Sequence, residues 1–101
     1  MSEAVYPTDK FLKYVKNYDL SKKSIKTLMD DIESEWWMPS WGWKQTRRKD
    51  RIIFEVSTGG WSGNEDIIEA LQKNELFWCF MFEQSRVGGH YIFSIWEGDY
   101  K

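Results

Sequence analysis

The clearest hydrophobic pattern in the chain lies between residues 24 and 36. Its apolar residues recur at intervals of three and four, which is the spacing of one stripe along an α-helix. Two lysines lie near its start and two glutamates near its end, an arrangement that opposes the helix macrodipole, so burial of the stripe must stabilise this helix. Ser21 or Ser24 begins it. The stripe consists of Ile25, Leu28, Met29, Ile32 and Trp36.

A shorter helix is predicted before this one. Thr8 can cap its start, because a threonine hydroxyl accepts a hydrogen bond from a free backbone N–H of the first turn. Four apolar residues then fall on one side at helical spacing, and residues 17–20 interrupt the pattern. The four are Phe11, Leu12, Val15 and Tyr18.

The pattern changes to alternation after Pro39, which ends the second helix. Residues 41–44 alternate between tryptophan and other residues, as a first strand does. Residues 52–57 alternate between apolar and more polar residues and predict a second strand paired with the first. The basic segment 44–51 is then interpreted as the turn between them.

A third helix is predicted from residue 62 onwards. Residues 62–65 read Ser-Gly-Asn-Glu and match the S-x-x-E capping box, in which the hydroxyl and the carboxylate satisfy each other's backbone donors. Ile67, Ile68 and Leu71 give this helix an inward face.

A second hairpin follows. Residues 76–82 are almost wholly apolar and predict a central strand, and residues 90–96 return antiparallel to it. We expect a two-residue turn at positions 87 and 88. That turn pairs Ser85 with His90 and Cys79 with Trp96, and it places on the core face Leu76, Trp78, Phe80, Phe82, Tyr91, Phe93 and Ile95.

The order of these elements is α, α, β, β, α, β, β, which indicates an α+β fold. We expect a four-stranded, mainly antiparallel sheet with the helices packed on it. The length of 101 residues fits a single domain, with a helical part at 1–36 and a ββαββ part at 40–101. The pattern leaves the order of the strands open.

Composition adds an excess of aromatic residues to this fold. Seven Trp, six Phe and five Tyr make up 18% of the chain, more than a small core usually needs, so we expect some rings at a surface or interface. The single cysteine, Cys79, excludes an internal disulfide, and its apolar neighbours predict a buried thiol. No signal-peptide pattern and no run of about 18 apolar residues occurs, so we expect a cytoplasmic protein without a membrane span.

The net charge of −2 is unevenly distributed. Residues 44–51 hold five basic residues and one acid, a local charge of +4 against −6 for the remainder. Such a cluster is typical of a solvated hairpin end, and it also fits contact with phosphate or an acidic partner. Because the chain as a whole is acidic, we do not expect nucleic acid as a partner.

Catalytic and metal chemistry find little support. The predicted hairpin separates Cys79 from His90 by about 20 Å, too far for a nucleophile and its base. One histidine without a cysteine pair provides no known metal-ligand spacing, and we expect no metal or cofactor. His90 near Ser85 and Glu83 has two interpretations, a small acid/base group or a hydrogen-bonded histidine at a sheet end. We therefore expect a protein that is not an enzyme.

The loop 58–65 is the strongest candidate site, because it joins glycines, a tryptophan and a helix start. Glycines allow a ligand close to the backbone, and a helix start favours an anion, although the capping box and two acids of the first turn oppose one. The loop 58–65 does not match a nucleotide-binding motif of the Walker type. If this loop meets the second glycine turn, the two form a cradle for a small polar or nucleotide-like ligand. Its residues are Trp61, Ser62, Asn64, Glu65, Ser85, Arg86 and His90.

The segments STGGWSGNEDIIEALQ, LFWCF and SRVGGHYIF, together with the Trp-rich residues 35–44, resemble a family of small phage and prophage proteins with TGGWSGNE and SRxGGHYxF motifs. The resemblance covers residues 57–93. It implies a setting in a bacterial host cell, where small phage accessory proteins often counter defence by binding a host effector or sequestering its signalling nucleotide. It favours binding over catalysis.

A second interpretation is a protein-directed inhibitor of a host defence effector. The surplus tryptophans and the charged hairpin would then form the interface, since aromatic residues and arginine are enriched in interfaces. A homodimer is also compatible with so aromatic a surface. The interface residues would be Trp37, Trp41, Trp43, Arg47 and Arg48.

Overall fold

The computed structural model describes residues 6–86 and 88–100, over which five helices and four strands form. The helices are α1 Asp9–Lys16, α2 Ile25–Glu35, α3 Pro39–Gly42, α4 Ser62–Lys73 and α5 Glu75–Met81. The strands are β1 Trp43–Arg48, β2 Arg51–Ser57, β3 Phe82–Arg86 and β4 His90–Trp96.

The strands form one antiparallel sheet in the order β1-β2-β4-β3. In its centre Phe54 of β2 lies opposite Phe93 of β4. The predicted α+β class, with helices packed on a four-stranded antiparallel sheet, is confirmed. The order also settles that β2 neighbours β4 rather than β3.

The core lies between the helices and one face of the sheet. Successive strand residues point to opposite faces, so alternate residues of β2 and β4 enter the core. The helices contribute the predicted stripe of α2, the end of α1 and the inward face of α4. The largest fully buried side chains include Phe54, Phe77, Phe93, Leu28, Met29, Ile32, Ile67, Leu71 and Ile95.

Two predicted helix starts are confirmed. The Thr8 hydroxyl accepts a hydrogen bond from the Phe11 N–H at 3.0 Å and begins α1. Ser24, one of the two residues proposed to start the second helix, accepts from the N–H groups of Lys26 and Thr27. Each hydroxyl satisfies donors that have no partner within the helix.

The first hairpin differs from its prediction at both ends of β1. Pro39 begins a helical turn, so Trp41 lies in α3 and the strand starts only at Trp43. The basic segment is not a long turn, because β1 and β2 pair as far as Arg48 and Arg51. The turn is two residues long, and Lys49 adopts a positive φ of 56° there. Paired basic residues are tolerated because this edge strand faces solvent.

The predicted central strand at residues 76–82 is wrong, because residues 75–81 form the helix α5. Asn74 explains the difference. Its side-chain oxygen accepts from the Phe77 N–H at 3.2 Å and caps the helix, while its amide donates to the carbonyls of Val15 and Tyr18. A short apolar run does not distinguish a strand from a buried helix, and here the cap decides.

The helix changes which of these residues are buried. Phe77 is fully buried, whereas Leu76 and Phe80 of the expected core face are 45% and 68% exposed. Cys79 is exposed as well, which corrects the expectation of a buried thiol.

The second hairpin has a longer turn than predicted. Arg86 pairs with His90 and Ser85 with Tyr91, so the predicted pairs of Ser85 with His90 and Cys79 with Trp96 do not form. Three residues therefore connect the strands, of which Val87 lies outside the described residues. Gly88 and Gly89 adopt φ values of 92° and 80°, conformations that glycine permits. A register shift between Phe82 and Gln84 accommodates the extra residue.

Candidate ligand groove at the junction of the glycine turns

The two glycine-rich turns meet at one end of the sheet. Ser57 at the end of β2 lies opposite His90 at the start of β4. The Thr58 N–H continues this pairing and donates to the Gly89 carbonyl at 3.0 Å. A Cβ on Gly89 would overlap the Thr58 hydroxyl oxygen, so only glycine allows this close approach. The sequence left open whether the two glycine turns meet. They meet because β4 pairs with β2.

Trp61 lies in this junction but is engaged in packing. Its ring stacks on those of Trp37 and Tyr6, with centroids 4.8 Å away in both cases. Its indole N–H is buried and has no hydrogen-bond partner in the described part of the chain. The ring therefore belongs to a stack of three aromatic residues that closes the N-terminal side of α4.

Asn64 has a structural position too. The side chain is only 1% exposed. Its oxygen accepts from the Trp37 N–H at 2.9 Å, and its amide donates to the carbonyls of Trp37 at 3.1 Å and Thr58 at 3.5 Å. Asn64 joins the segment after α2 to the start of α4, and its buried amide is not available to a ligand in this conformation.

The predicted capping box does not form. Ser62 is the first residue of α4, so it does not act as the cap. Trp61 occupies the capping position, and its side chain makes no capping hydrogen bond. The Glu65 carboxylate instead accepts from the Thr58 hydroxyl at 3.4 Å. The objection that a capping box occupies the free N–H groups of this helix start is therefore removed. Ser62 and Glu65 are both exposed.

The second turn contributes exposed groups. Ser85 and His90 are exposed on neighbouring strands, and Arg86 pairs with His90 through the backbone. The side chain of Arg86 lies outside the described part of the structure.

A groove of about 370 Å³ lies at this junction on the sheet face opposite the core. Trp41 forms one wall and is 63% exposed. Its ring lies against Gly59, where a Cβ would approach it to 2.8 Å, so the glycine turn positions the indole. Lys44 and Glu55 are cross-strand partners and point into the same groove. The lining residues are Trp41, Gly42, Lys44, Glu55, Val56, Ser57, His90, Tyr91 and Ile92.

This groove uses a different tryptophan from the one expected. The sequence placed Trp41 among interface residues on a strand, and no local pattern links it to Gly59, which is 18 positions away. The helical turn α3 brings the two together. Lys44 was expected in a solvated turn and is instead the strand residue beside the groove.

The residues of the alternative interface do not form one surface. Trp43 packs against Trp36 and Phe54 on the core side of β1, and Trp37 stacks on Trp61. Arg47 pairs with the Glu97 carboxylate. Trp41 and Arg48 remain exposed.

A larger cavity of about 680 Å³ lies at the other end of the sheet. Three exposed apolar side chains border it, Leu76 and Phe80 from α5 and Trp96 from β4. Sequence reasoning missed this region because it assigned residues 76–82 to a buried strand.

Within the described residues, no group of three or more His, Cys, Asp or Glu side chains is arranged to hold a metal ion, and no helix has the length and apolar character needed to cross a membrane.

Fold and groove together define an α+β protein with an open, polar sheet face. Comparison of the chain with family models, with curated proteins and with solved structures finds no match.

Proposed function

We propose that this chain is a small binding protein and that the Trp41 groove receives a nucleotide-like ligand, one with a planar ring and an anionic group. The observation that carries the proposal is the exposed indole of Trp41, which glycine packing holds beside a lysine and an imidazole in one groove. The volume of about 370 Å³ is within the usual range of small-molecule sites.

Each side chain has a distinct chemical role in this proposal. Trp41 offers a face on which a base stacks, an interaction worth about 1–3 kcal/mol per base. Lys44 supplies a mobile positive charge for a phosphate. His90 donates or accepts a hydrogen bond according to its tautomer. The Glu55 carboxylate accepts a hydrogen bond from an exocyclic amine of the base.

Binding is preferred to catalysis for two reasons. The groove is open, and among the described residues that line it the His90 imidazole has no nucleophile and orienting partner assembled around it. The resemblance to phage accessory proteins supports the same choice, because such proteins often sequester a signalling nucleotide. We accordingly propose a counter-defence role in the cytoplasm of a bacterial host.

Isothermal titration with a panel of mononucleotides and cyclic nucleotides tests the proposal. We expect at least one to bind, and we expect Trp41→Ala to weaken it at least tenfold by removal of the stacking surface. Trp96→Ala is the matched control, because Trp96 is also exposed but lies at the opposite end of the sheet. No heat from any nucleotide with folded protein, or equal affinity of Trp41→Ala and wild type, would refute the proposal.

The second candidate, a protein-directed inhibitor, is favoured by the exposed apolar side chains of Leu76 and Phe80 beside the larger cavity. Neighbouring exposed hydrophobic side chains often mark a protein interaction site. This function predicts that a Leu76→Ser, Phe80→Ser double variant loses inhibition of the host effector while Trp41→Ala retains it. The reverse result favours the nucleotide groove.

A further inference from the structure

The Trp41 groove continues across the sheet. A second groove of about 380 Å³ lies on the same face, and the two share Glu55 and Ile92 as lining residues. The second groove in turn shares Arg51 and Ser94 with the larger cavity that Trp96 borders. The two grooves therefore form one continuous path over the sheet face opposite the core, which we call the open face. The path ends at the larger cavity, which Ile25 of α2 and Leu76 of α5 also line.

The length of this path follows from the strand register. The Ser57 and His90 pair lies at the Trp41 end, and the Arg51 and Trp96 pair lies at the other. These pairs are six residues apart along β2, which corresponds to about 20 Å at the rise of a strand. A stacked single strand rises about 3.4 Å per nucleotide, so about six nucleotides would fill the path, and fewer if the strand is stretched.

Aromatic rings and positive charges are distributed along the path. Trp41 and Trp96, which are 63% and 50% exposed, stand at its two ends. Lys44 and Arg48 lie four residues apart on the same side of β1 and so point to the open face. The Arg51 guanidinium is positioned by hydrogen bonds of 2.8 Å to the Ser94 hydroxyl and 3.2 Å to the Ser94 carbonyl.

The folded chain separates its charges into layers. The hairpin of β1 and β2 carries five basic residues and two acids, whereas the five helices together carry five lysines and nine acids. The helices pack on the core side of the sheet. The acidity of the whole chain, which argued against nucleic acid, is therefore concentrated in the layer away from the open face. Glu55 and Glu83 line the two grooves of the path, and Asp99 lines the cavity at its Trp96 end.

We propose that the open face binds single-stranded nucleic acid along the path from Trp41 to Trp96. The inference rests on the proposed function, because the nucleotide at the Trp41 end occupies the same groove. Bases stack on the two indoles, and phosphates lie along Lys44 and Arg48 at the β1 side. Stacking on separate rings requires unpaired bases, so a single strand binds in preference to a duplex.

The side chains between the two tryptophans fit the edges of bases. The Glu55 carboxylate accepts hydrogen bonds from amino groups such as that of cytosine. Ile53 and Ile92 provide an apolar floor beneath them.

Fluorescence anisotropy with labelled oligocytidylates of one, two, four, six and eight nucleotides tests the inference. We expect the affinity to rise at least tenfold between one and four nucleotides and to level off at about six. In Trp96→Ala, binding of the mononucleotide should remain, while the increase in affinity with oligonucleotide length should become at least fivefold smaller. In Arg48→Ala, the slope of log K against log salt should decrease by about 0.7, the value for one lost phosphate contact with a single strand.

The outcomes separate the inference from the proposed function. Mononucleotide binding without any rise in affinity for longer oligonucleotides would overturn the inference and leave the proposed Trp41 site intact. Absence of binding to every probe, with native circular dichroism, would overturn both. Equal affinity for duplex DNA, heparin or polyglutamate would overturn the inference, because these polyanions offer charge without unpaired bases.

Discussion

Asn64 and Asn74 illustrate what single residues contribute to this protein. Each is almost completely buried, and each uses its amide to join backbone segments far apart in the chain. Asparagine is mostly exposed in proteins, and a loop position beside glycines favours a ligand-binding interpretation from sequence. The structure places Asn64 inside the protein instead, where it satisfies the N–H and carbonyl of Trp37.

Removal of the Asn64 amide should therefore destabilise the protein strongly. We expect Asn64→Ala to lower the free energy of unfolding by about 2–3 kcal/mol, because the Trp37 backbone groups lose their partner. Urea denaturation measures the difference. Ser62→Ala is the control in the same helix start, and it should change stability by less than about 0.5 kcal/mol. A loss of about 1 kcal/mol in Ser62→Ala would support the capping box that the structure lacks.

Cys79 provides a second test at this scale. Its thiol is exposed on α5, so a disulfide reagent such as Ellman's reagent should modify the native protein at the rate of an accessible thiol. Pre-treatment with denaturant should therefore accelerate the reaction little. A thiol that reacts only after unfolding would indicate that residues 76–82 are buried as a strand.

At the scale of elements, α5 is where hydrophobicity alone misleads. Seven residues with one buried phenylalanine and two exposed apolar side chains have the composition of a central strand. The cap from Asn74 and the close packing of Phe77 on Phe93, with ring centroids 5.1 Å apart, select the helix. A run this short contains too few turns for its periodicity to decide.

Two phenylalanines of this element distinguish the helix from the strand. Phe77→Ala should lower the free energy of unfolding by about 3–5 kcal/mol, because it leaves a cavity beneath β4. Phe80→Ala should change it by less than about 0.5 kcal/mol, since that ring is 68% exposed. Thermal or urea unfolding of both variants checks the prediction. A larger loss of stability in Phe80→Ala than in Phe77→Ala would support the predicted strand instead of the helix.

At the scale of the whole molecule, the helical layer contains tyrosines whose ionisation is coupled to folding. Burial, followed by the hydrogen bond to Asp31, raises the pKa of Tyr14 above its usual value. Burial likewise raises the pKa of Tyr18 and Tyr100, with a smaller contribution from Asp31 and Asp30 respectively. Protons are thus held more tightly in the folded state than in the unfolded state above about pH 10.

The contribution of these tyrosines to stability should therefore be constant below about pH 10 and fall as the pH rises further, because the unfolded tyrosines ionise first. In Tyr14→Phe one of these protons is absent, so the fall should be shallower. Urea midpoints between pH 8 and pH 11.5 measure both curves. Parallel curves for the variant and the wild type would show that Tyr14 does not contribute.

The open face is also a property of the whole molecule. Trp41 and Gly59 come from different elements, and Lys44 reaches the same groove only because β1 pairs with β2. Of the candidate residues proposed from sequence, Ser85 and His90 are exposed at this end of the sheet, whereas Trp61 and Asn64 pack inside it. Whether the two glycine turns meet depends on the strand order, which the sequence left open.

The sequence by itself determined the fold class, the start of α1, the buried faces of α2 and α4, and the alternation of β2, and it narrowed the start of α2 to Ser21 or Ser24. These features depend on local periodicity and capping, which neighbouring residues encode. Only the tertiary structure decided the strand order, the helical state of residues 75–81 and the tryptophan that borders the groove. Those depend on contacts between distant residues, such as Asn74 with Val15 and Thr58 with Gly89, which have no local pattern in the chain.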